Sequence, residues 1–593
     1  MISRAVFFFA VLLMCGTSFV FYPRWQKEGT EAAISWDVSG YYWYLPSIFI
    51  YHDLKHQSFK DSVLTKYQPT NTEFQQASKC KNGNYVMKYS SGMATMYLPF
   101  FLVAHLVACM AGFPASGFSQ PYQLAIQFGG LLISLIGLWY LRKLLLNYFS
   151  DKVVAITLLL LVIGSNYLNY AAIDCGMSHC WLFTIYVFLS LNTHYFYSTF
   201  KTKYAVRIGL LVGLATLTRP TEVISCLIPL FWGIENISVK SLLSQFHLWK
   251  SHAKSLLFAT LCAFLVFSIQ LCYWKYITGH WLYYSYGDQG FSFLHPHPYV
   301  YTFNYSTGWL TYSPMFIFAF VGIYPFIRKG KNTVAIILFF MLNYYVVSSW
   351  DFWRYGGRAM VQSYAILLFP MAALVDVSLQ RKTWKWIFSI IAILFIYMNI
   401  WITWQLHRGK LYFGDSMNKN YYWKAAGRWS VPEKYIVLLD SSEVCEHEPQ
   451  TLETIYENNF SNDSGICYTS SEGNKRALML NKKSNASPMY SFAYNGKSTE
   501  WVKATATIRS VAKVWDSWLM TKFYLVLTDT NNKKEIKKNM ILVNRQLEAG
   551  IAKEISIEMK LPQENFNKVD VYFCNPDSLN DMIINNLKVV SFR

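Results

Sequence analysis

Long runs of apolar residues recur along the first two thirds of the chain, separated by short polar loops. A helix crosses the hydrocarbon core of a bilayer with about 20 apolar residues. Eleven runs reach or approach that length, which predicts a polytopic α-helical membrane protein with about 11 transmembrane helices, at 5–22, 121–141, 153–172, 180–199, 206–218, 221–235, 256–277, 309–327, 333–349, 359–378 and 386–405. A further run, 94–112, either crosses the membrane or lies along its surface.

The pattern changes after residue 405, where short runs alternate between apolar and polar positions. Alternation with a period of two, interrupted by turn residues, indicates strands with one buried face. The segment DTNNKK at 529–534 has the composition of a hairpin turn. We therefore predict a helical membrane domain at 1–405 and an all-β, sandwich-like domain at 406–593, with strands at 435–440, 503–512, 522–529, 553–561, 568–575 and 586–592.

The basic residues predict the orientation. If 94–112 lies on the surface and the N-terminus is cytoplasmic, fifteen basic residues fall in short cytoplasmic loops and only four at the opposite side, namely Arg219, Lys275, Arg354 and Arg358. Short cytoplasmic loops are enriched in Lys and Arg, so this topology is favoured. It predicts that the first loop, 23–120, with its surface helices, and the C-terminal domain are extracytoplasmic.

Composition excludes one class of partner. The chain has 593 residues, of which 53% are hydrophobic and 15% charged, and its net charge is +19. Most of the positive excess lies in the short loops, where orientation explains it, and no nucleic-acid-binding motif of known spacing occurs. We expect no nucleic-acid partner. Most of the eleven cysteines lie in or beside apolar runs; a Cys445–Cys467 disulfide is left open.

Several polar residues cluster at the predicted outer interface. Asp37 follows the first span within an aromatic segment, EAAISWDVSGYYWYLP, where it is either a solvated interfacial acid or a catalytic carboxylate. Carboxylates can accept a proton from a hydroxyl or bind a divalent cation, and arginines can bind a phosphate through two hydrogen bonds. Other interpretations stay open for individual residues: Asp174 as a helix cap, and Arg219 as a side chain reaching the headgroups.

Six segments of the helical region carry recognisable motifs, in this order: SWDVSGYY (35–42), KYSSGMATMYLPFF (88–101), DCGMSH (174–179), GLLVGLATLTRPTE (209–222), TGWLTYSPMFIFAFVG (307–322) and WRYGGRAM (353–360). Their order resembles the GT-C superfamily of integral-membrane glycosyltransferases, near the protein mannosyltransferase and aminoarabinose transferase branch. The resemblance covers about residues 1–405. Serines 90 and 91 stand where that superfamily often has prolines, and the glycine-rich segment near residue 356 is shortened.

The resemblance implies transfer of a sugar from a polyprenyl-phosphate donor to an extracytoplasmic glycan, lipid or protein acceptor. Asp37 would be the general base, and Asp174 would be a second residue of the catalytic site, where Asp174 and His179 shape the site or bind the acceptor. The resemblance also implies donor-phosphate contacts from Lys88, Arg219, Arg354 and Arg358, and substrate contacts from Tyr41, Trp43, Ser178, His179, Glu222 and His280. A divalent cation, Mg²⁺ or Mn²⁺, is left open. The expected location is the bacterial inner (cytoplasmic) membrane, with the active site on the outer side.

Two functions from other classes remain as alternatives. A transporter or flippase of lipid-linked saccharides would carry charged residues near the bilayer midplane, on broken helices. In this sequence the charged residues lie at one predicted interface, which favours the transferase. A membrane-anchored binding protein, in which the β domain carries the function, is the third interpretation.

Overall fold

The computed structural model describes residues 2–70, 74–330, 332–351, 355–460, 468–470, 476–494, 500–510, 519–576 and 580–593. The chain divides into two compact units, Met1–Asp415 and Ser416–Arg593. The expected boundary after residue 405 falls inside the first unit. There the chain continues from the last long helix into a π-helical turn, Gln405–Gly409, and Arg408 donates to the carbonyl of Phe21.

The first unit is almost entirely helical. Its α-helices are α1 (Ile2–Gly16), α2 (Trp36–Tyr42), α3 (Tyr44–Phe49), α4 (Lys60–Tyr67), α5 (Gly92–Met110), α6 (Gln120–Leu145), α7 (Asp151–Gly164), α8 (Ser178–Thr199), α9 (Thr202–Thr218), α10 (Leu227–Phe231), α11 (Val239–Ser251), α12 (Ala253–Thr278), α13 (Pro298–Phe303), α14 (Trp309–Tyr312), α15 (Ile317–Lys329), α16 (Thr333–Ser348), α17 (Tyr364–Ser378) and α18 (Lys382–Trp404). A two-stranded hairpin, β1 (Ala77–Lys79) and β2 (Tyr85–Met87), lies in the first loop.

Six helices of the described chain are long and apolar enough to cross a membrane: Ile2–Gln26, Gly92–Met110, Gln120–Leu145, Ala253–Thr278, Tyr355–Ser378 and Lys382–Gly409. Two shorter apolar helices, Pro220–Phe231 and Thr333–Ser348, accompany them. The chain therefore has a mainly helical region with several membrane-compatible helices. The count of about 11 spans stays a prediction.

Polar contacts distinguish the two ends of the helical unit. At one end, the Ser3 hydroxyl donates to Asp151, and Arg142 donates to Ser3 at 2.8 Å. At the other end, the first loop meets the start of α6, where the Ile34 amide donates to Gln123 at 2.7 Å. We call this second end the first-loop end, and the candidate site lies there.

Helix α5 starts and ends near the first-loop end. Gly92 in its first turn packs so closely on Thr218 that an added Cβ would lie 2.4 Å from the Thr218 nitrogen. Toward its other end, His105 hydrogen-bonds the hydroxyl of Tyr122, at the start of α6, over 2.6 Å. Both halves of α5 therefore contact residues of the first-loop end. The location of 94–112 along the membrane surface stays a prediction.

The second unit is all-β apart from short helices such as α19 (Lys419–Ala425). Its strands are β3 (Glu453–Asn458), β4 (Tyr468–Ser470), β5 (Arg476–Leu480), β6 (Tyr490–Ala493), β7 (Trp501–Ser510), β8 (Lys522–Asp529), β9 (Lys534–Leu542), β10 (Lys553–Lys560), β11 (Lys568–Cys574) and β12 (Met582–Phe592). One sheet has the order β10-β7-β12-β5-β4 with β3 paired to β12, and the other has the order β6-β11-β8-β9. Inward side chains of both sheets, such as Val502 and Leu525, share one core.

Most of the predicted strands are confirmed. The runs beginning at 503, 522, 553, 568 and 586 all lie in strands, and β8 pairs with β9 across the predicted hairpin turn. The prediction of a strand at 435–440 is wrong, because Glu433–Leu439 forms a 3₁₀ helix that follows Pro432. Its apolar residues Val437, Leu438 and Leu439 are buried in succession, which departs from the alternation of a half-buried strand.

Candidate active site

A cavity of about 360 Å³ opens among helix ends and loops at the first-loop end. Its wall combines parts of the chain that are hundreds of residues apart. The sequence-predicted residues that line it are Asp37, Tyr41, Lys88, His179, Arg219, Glu222 and Arg358. The cavity therefore brings a carboxylate, three basic side chains and a buried acid–histidine group to one place.

Asp37 lies in the first turn of α2, and both of its carboxylate oxygens are engaged. The hydroxyl of Tyr89 donates to Oδ1 at 2.7 Å, and Nη2 of Arg358 donates to Oδ2 at 2.7 Å. The Asp37 side chain is 21% exposed and that of Arg358 is 27% exposed. This ion pair joins residues that are 321 positions apart in the sequence.

The surroundings of Asp37 favour its charged form. Burial acts to raise the pKa of Asp37, but the Arg358 guanidinium, the Tyr89 hydroxyl and the Lys88 ammonium outweigh burial, so the pKa of Asp37 lies below its ordinary value. A depressed pKa makes a carboxylate a weak proton acceptor. Asp37 is therefore ionised but weakly basic while Arg358 remains paired with it.

The residue before Asp37 has an uncommon backbone conformation. Trp36 has a φ of +47°, in the left-handed region that bulky residues rarely adopt. Its amide donates to the carbonyl of Pro69 at 2.9 Å, which anchors the turn from outside α2. Such strain persists where the surrounding structure determines the backbone, and it is frequent at functional sites.

Two further cations lie in the cavity wall. The ammonium of Lys88 is 5.6 Å from the ring centroid of Tyr89 and 5.7 Å from that of Tyr286, within the range of a cation–π interaction. Arg219 directly follows α9 as its C-cap and lies beside the Tyr41 hydroxyl and the Glu222 carboxylate. Together with Arg358, these side chains give the cavity a positive lining suited to a phosphate group.

Glu222 and His179 line the cavity and belong to a buried hydrogen-bond chain. The Tyr186 hydroxyl donates a hydrogen bond to one Glu222 oxygen, and the amide nitrogen of Gln362 donates to the other at 3.1 Å. His179 Nδ1 lies 3.3 Å from the amide oxygen of Gln362, which can only accept, so Nδ1 is the donor. His179 Nε2 is buried, with no hydrogen-bond partner among the described residues.

Asp174 is not among the residues that line the cavity. It forms an ion pair with Arg24 and accepts a hydrogen bond from Asn169 Nδ2 at 3.0 Å. Arg24 in turn donates to the Glu31 and Ala32 carbonyls and to the Ser35 hydroxyl, at 2.9–3.0 Å. Asp174 therefore holds an arginine that fixes the segment leading into Asp37.

Three other predicted residues of the described chain lie outside the cavity lining, and a fourth falls on a part that the structure does not describe. Trp43 is fully buried and packs against Phe59, Phe74 and Phe118. Ser178 is buried, with its hydroxyl 3.5 Å from that of Tyr41. His280 is exposed in the loop after α12, and Arg354 lies outside the described residues.

Three residues of the site were missed by sequence reasoning: Tyr89, Tyr286 and Gln362. Tyr89 follows Lys88 directly, and Tyr286 lies in the aromatic segment YYSYGDQGF at 283–291, part of which lines the cavity. These two carried a usable signal, because aromatic and hydroxyl groups are typical of binding loops. Gln362 lies four residues after Arg358, at the helical spacing of side chains that share a face.

The described residues contain no group of three or more His, Cys, Asp or Glu side chains that could hold a metal ion. The carboxylate that lines the cavity beside the cations, Asp37, already accepts hydrogen bonds from Tyr89 and Arg358.

The sequence matches no protein-family model and no curated protein. Among solved structures, one alignment is to the CBM22-1–GH10 modules of a Clostridium thermocellum endo-1,4-beta-D-xylanase 10B complexed with xylohexaose, at 13% identity and a TM-score of 0.18, covering 24% of this chain and 28% of that one. Another is to the CBM22-1 xylan-binding domain from Paenibacillus barcinonensis Xyn10C, at 13% identity and a TM-score of 0.16, covering 24% of this chain and 96% of that one. The alignment thus spans little more than a quarter of the xylanase modules. At these TM-scores neither alignment establishes a shared fold.

Proposed function

We propose that this protein is a membrane glycosyltransferase that moves a sugar from a polyprenyl-phosphate donor to an acceptor hydroxyl at the outer face of a bacterial inner membrane. The observation that carries the proposal is the convergence of Asp37 with Lys88, Arg219 and Arg358 in one cavity, in a chain with several membrane-compatible helices. A base beside a cluster of cations suits a reaction that takes up a proton and releases a phosphate.

The reaction assigns a task to each group. The acceptor oxygen attacks C1 of the sugar, its proton passes to Asp37, and the bond between C1 and the phosphate oxygen breaks. The electron pair of that bond stays on the departing polyprenyl phosphate, whose negative charge Lys88, Arg219 and Arg358 stabilise. Attack on the side opposite the leaving group inverts the configuration at C1.

The ion pair between Asp37 and Arg358 links donor binding to the strength of the base. A donor phosphate competes with Asp37 for the Arg358 guanidinium. Once Arg358 contacts the phosphate, the main charge that lowers the Asp37 pKa is withdrawn, and Oδ2 is available to accept a proton. The carboxylate then becomes a stronger base in the complex than in the free protein.

The test replaces Asp37 with Asn, which keeps the side-chain volume but removes the base. Asp61→Asn is a matched control, because Asp61 lies in the same loop with 88% of its side chain exposed. Cell-envelope glycans of the two variant strains and the wild type are compared by mass spectrometry. We expect Asp37→Asn alone to lose one sugar from an envelope glycan and to accumulate the polyprenyl-phosphate sugar. Unchanged glycans in a strain that inserts normal amounts of Asp37→Asn protein would overturn the proposal.

A further inference from the structure

A second cavity lies at the end of the helical unit opposite the first loop, and its lining is apolar. It has a volume of about 350 Å³ and lies between α8, α9, the segment Pro220–Phe231, α11 and α12. Its lining includes Val212, Val223, Leu230, Trp249 and Ala259. We call it the α9–α12 groove. It is separate from the cavity of the candidate active site, and the two share no lining residue.

Helices α9 and α12 are packed against each other along one side of this groove. A Cβ added to Gly209 would lie 2.1 Å from the carbonyl oxygen of Ala259, so their backbones nearly touch. Near their first turns, the hydroxyls of Thr202 and Ser255 are 3.1 Å apart, so the helices run in the same direction. The groove opens at the surface of the helical unit, where the lining residues Leu256 and Thr260 are exposed.

Helix α11 borders the groove through Leu248 and Trp249, and it has the composition of an interfacial helix. Leu242, Leu243 and Phe246 are exposed, at 42%, 55% and 57%, whereas Gln245 is buried and donates to the Leu230 carbonyl. An exposed apolar face on a helix with lysines at its ends is typical of a segment at the boundary between headgroups and acyl chains. The charge distribution predicts the cytoplasmic side for this helix.

Exposed lysines neighbour the lining residues of the groove in the sequence. Lys250 and Lys254 are exposed and flank the lining residues His252 and Ser255, and Lys201 is exposed next to Phe200, whose ring stacks on His252 at 4.4 Å. An apolar groove that opens laterally, with lysines at its headgroup end, is complementary to a lipid with an anionic head. We propose that the α9–α12 groove binds one acyl chain of an anionic glycerophospholipid from the cytoplasmic leaflet, with its phosphate at Lys250 and Lys254.

A lipid in this groove would stabilise a segment that also lines the candidate active site. Thr221 and Glu222 line the catalytic cavity, and Val223 and Cys226, which follow in the same short helix, line the groove. An acyl chain against Val223 and Cys226 fills space that otherwise leaves this segment unsupported on one side. The inference rests on membrane insertion and does not require glycosyl transfer.

The experiment measures lipid labelling by the full-length protein in vesicles. Three photoreactive probes carry a diazirine at the end of a hydrocarbon chain: phosphatidylglycerol, phosphatidylcholine and undecaprenyl phosphate. Labelled peptides are mapped by mass spectrometry. We expect phosphatidylglycerol to label the peptides of the groove in preference to phosphatidylcholine. Undecaprenyl phosphate that labels the groove and displaces phosphatidylglycerol would overturn the assignment in favour of the donor lipid.

A variant pair tests the groove directly. Thr260→Trp places an indole in the open side of the groove, whereas Leu261→Trp places it on an exposed neighbouring position that does not line it. Thr260→Trp should lower phosphatidylglycerol labelling by about tenfold, because the ring excludes methylene groups whose burial drives binding. Equal labelling of both variants, or labels confined to the outer face of α12, would show ordinary contact with bulk lipid and refute the site.

A second pair tests the headgroup contact. Lys250→Gln combined with Lys254→Gln should remove the preference for phosphatidylglycerol over phosphatidylcholine. Lys240→Gln, at the other end of α11, should retain it, because Lys240 flanks no lining residue. A preference that survives the double substitution would contradict the placement of the phosphate.

Discussion

Asp174 could act in catalysis or in positioning, and its ion pair with Arg24 allows the two roles to be distinguished by experiment. The resemblance to GT-C enzymes implies catalysis, whereas the structure places Asp174 against Arg24, outside the cavity lining. Asp174→Asn removes the charge but keeps the shape of the side chain. We expect it to weaken the clamp on the segment that leads to Asp37 and to leave the chemistry of transfer largely intact.

The magnitude follows from the burial of the pair. The Arg24 and Asp174 side chains are 15% and 22% exposed. A hydrogen bond to a charged group contributes roughly 1.5–3 kcal/mol, and breaking a fully buried ion pair costs roughly 3–5 kcal/mol. Because Arg24 keeps its carbonyl partners, Glu31 and Ala32, we expect a loss of about 2–3 kcal/mol in the free energy of unfolding.

The assay combines stability and rate. Denaturant unfolding in detergent micelles is measured for the wild type, Asp174→Asn, Arg24→Gln and the double variant. Because both single substitutions break the same pair, the double variant should lose little more stability than the larger single loss. The transfer rate per folded molecule should fall by less than about tenfold, well short of the 10²–10⁴-fold that a general acid or base contributes.

Two results would refute this reasoning. Additive stability losses would show that Arg24 and Asp174 do not act as a pair. A rate loss of about 10³-fold or more in Asp174→Asn, with unchanged stability, would return Asp174 to the chemistry.

Three further predictions concern the surroundings of the site. Tyr89→Phe removes a hydrogen bond that stabilises ionised Asp37, so the pKa of Asp37 should rise and the acidic limb of the pH–rate profile should move to higher pH; an unmoved profile would contradict the contact. The stability that ionised Asp37 contributes is lost as the pH falls from its unfolded-state pKa through its folded-state pKa, so in the variant this loss should be smaller and complete at a higher pH. Trp43→Ala should cost about 3–5 kcal/mol of unfolding free energy, with little change in KM for the folded fraction, whereas a raised KM alone would indicate substrate contact. Gly209→Ala should lower the thermal unfolding midpoint, since overpacking against Ala259 costs about 1–3 kcal/mol, and an unchanged midpoint would show that the two helices separate freely.

The parts of the structure that the sequence predicts well are those with a local signal. Strands β8 and β11 follow the alternation of their residues, and the long apolar helices follow their length. The segment 435–440 misled the prediction because six residues are too few to separate a strand from a short buried helix by periodicity. A preceding Pro432 was the better signal.

The sequence predicts several of the residues that line the candidate site, but it does not predict which side chains pair with each other. Asp37, Arg219 and Arg358 each lie next to an apolar run, and the predicted topology assigns all three to the same side of the membrane. The pairing of Asp37 with Arg358, and of Arg24 with Asp174, depends on how helices pack across the unit. The first pair is separated by 321 positions in the sequence and the second by 150. A local sequence pattern does not predict contacts over such separations.

The pair between Asp37 and Arg358 also bears on the order in which the proposed substrates act. While the cavity is empty, the candidate base is held by its own cation and cannot readily activate water or a chance hydroxyl. If the donor phosphate is what draws Arg358 away, an acceptor that arrives first finds an unreactive site. The expected kinetics are then ordered, with the donor bound before the acceptor, and a scarce activated lipid is protected from wasteful hydrolysis during the interval.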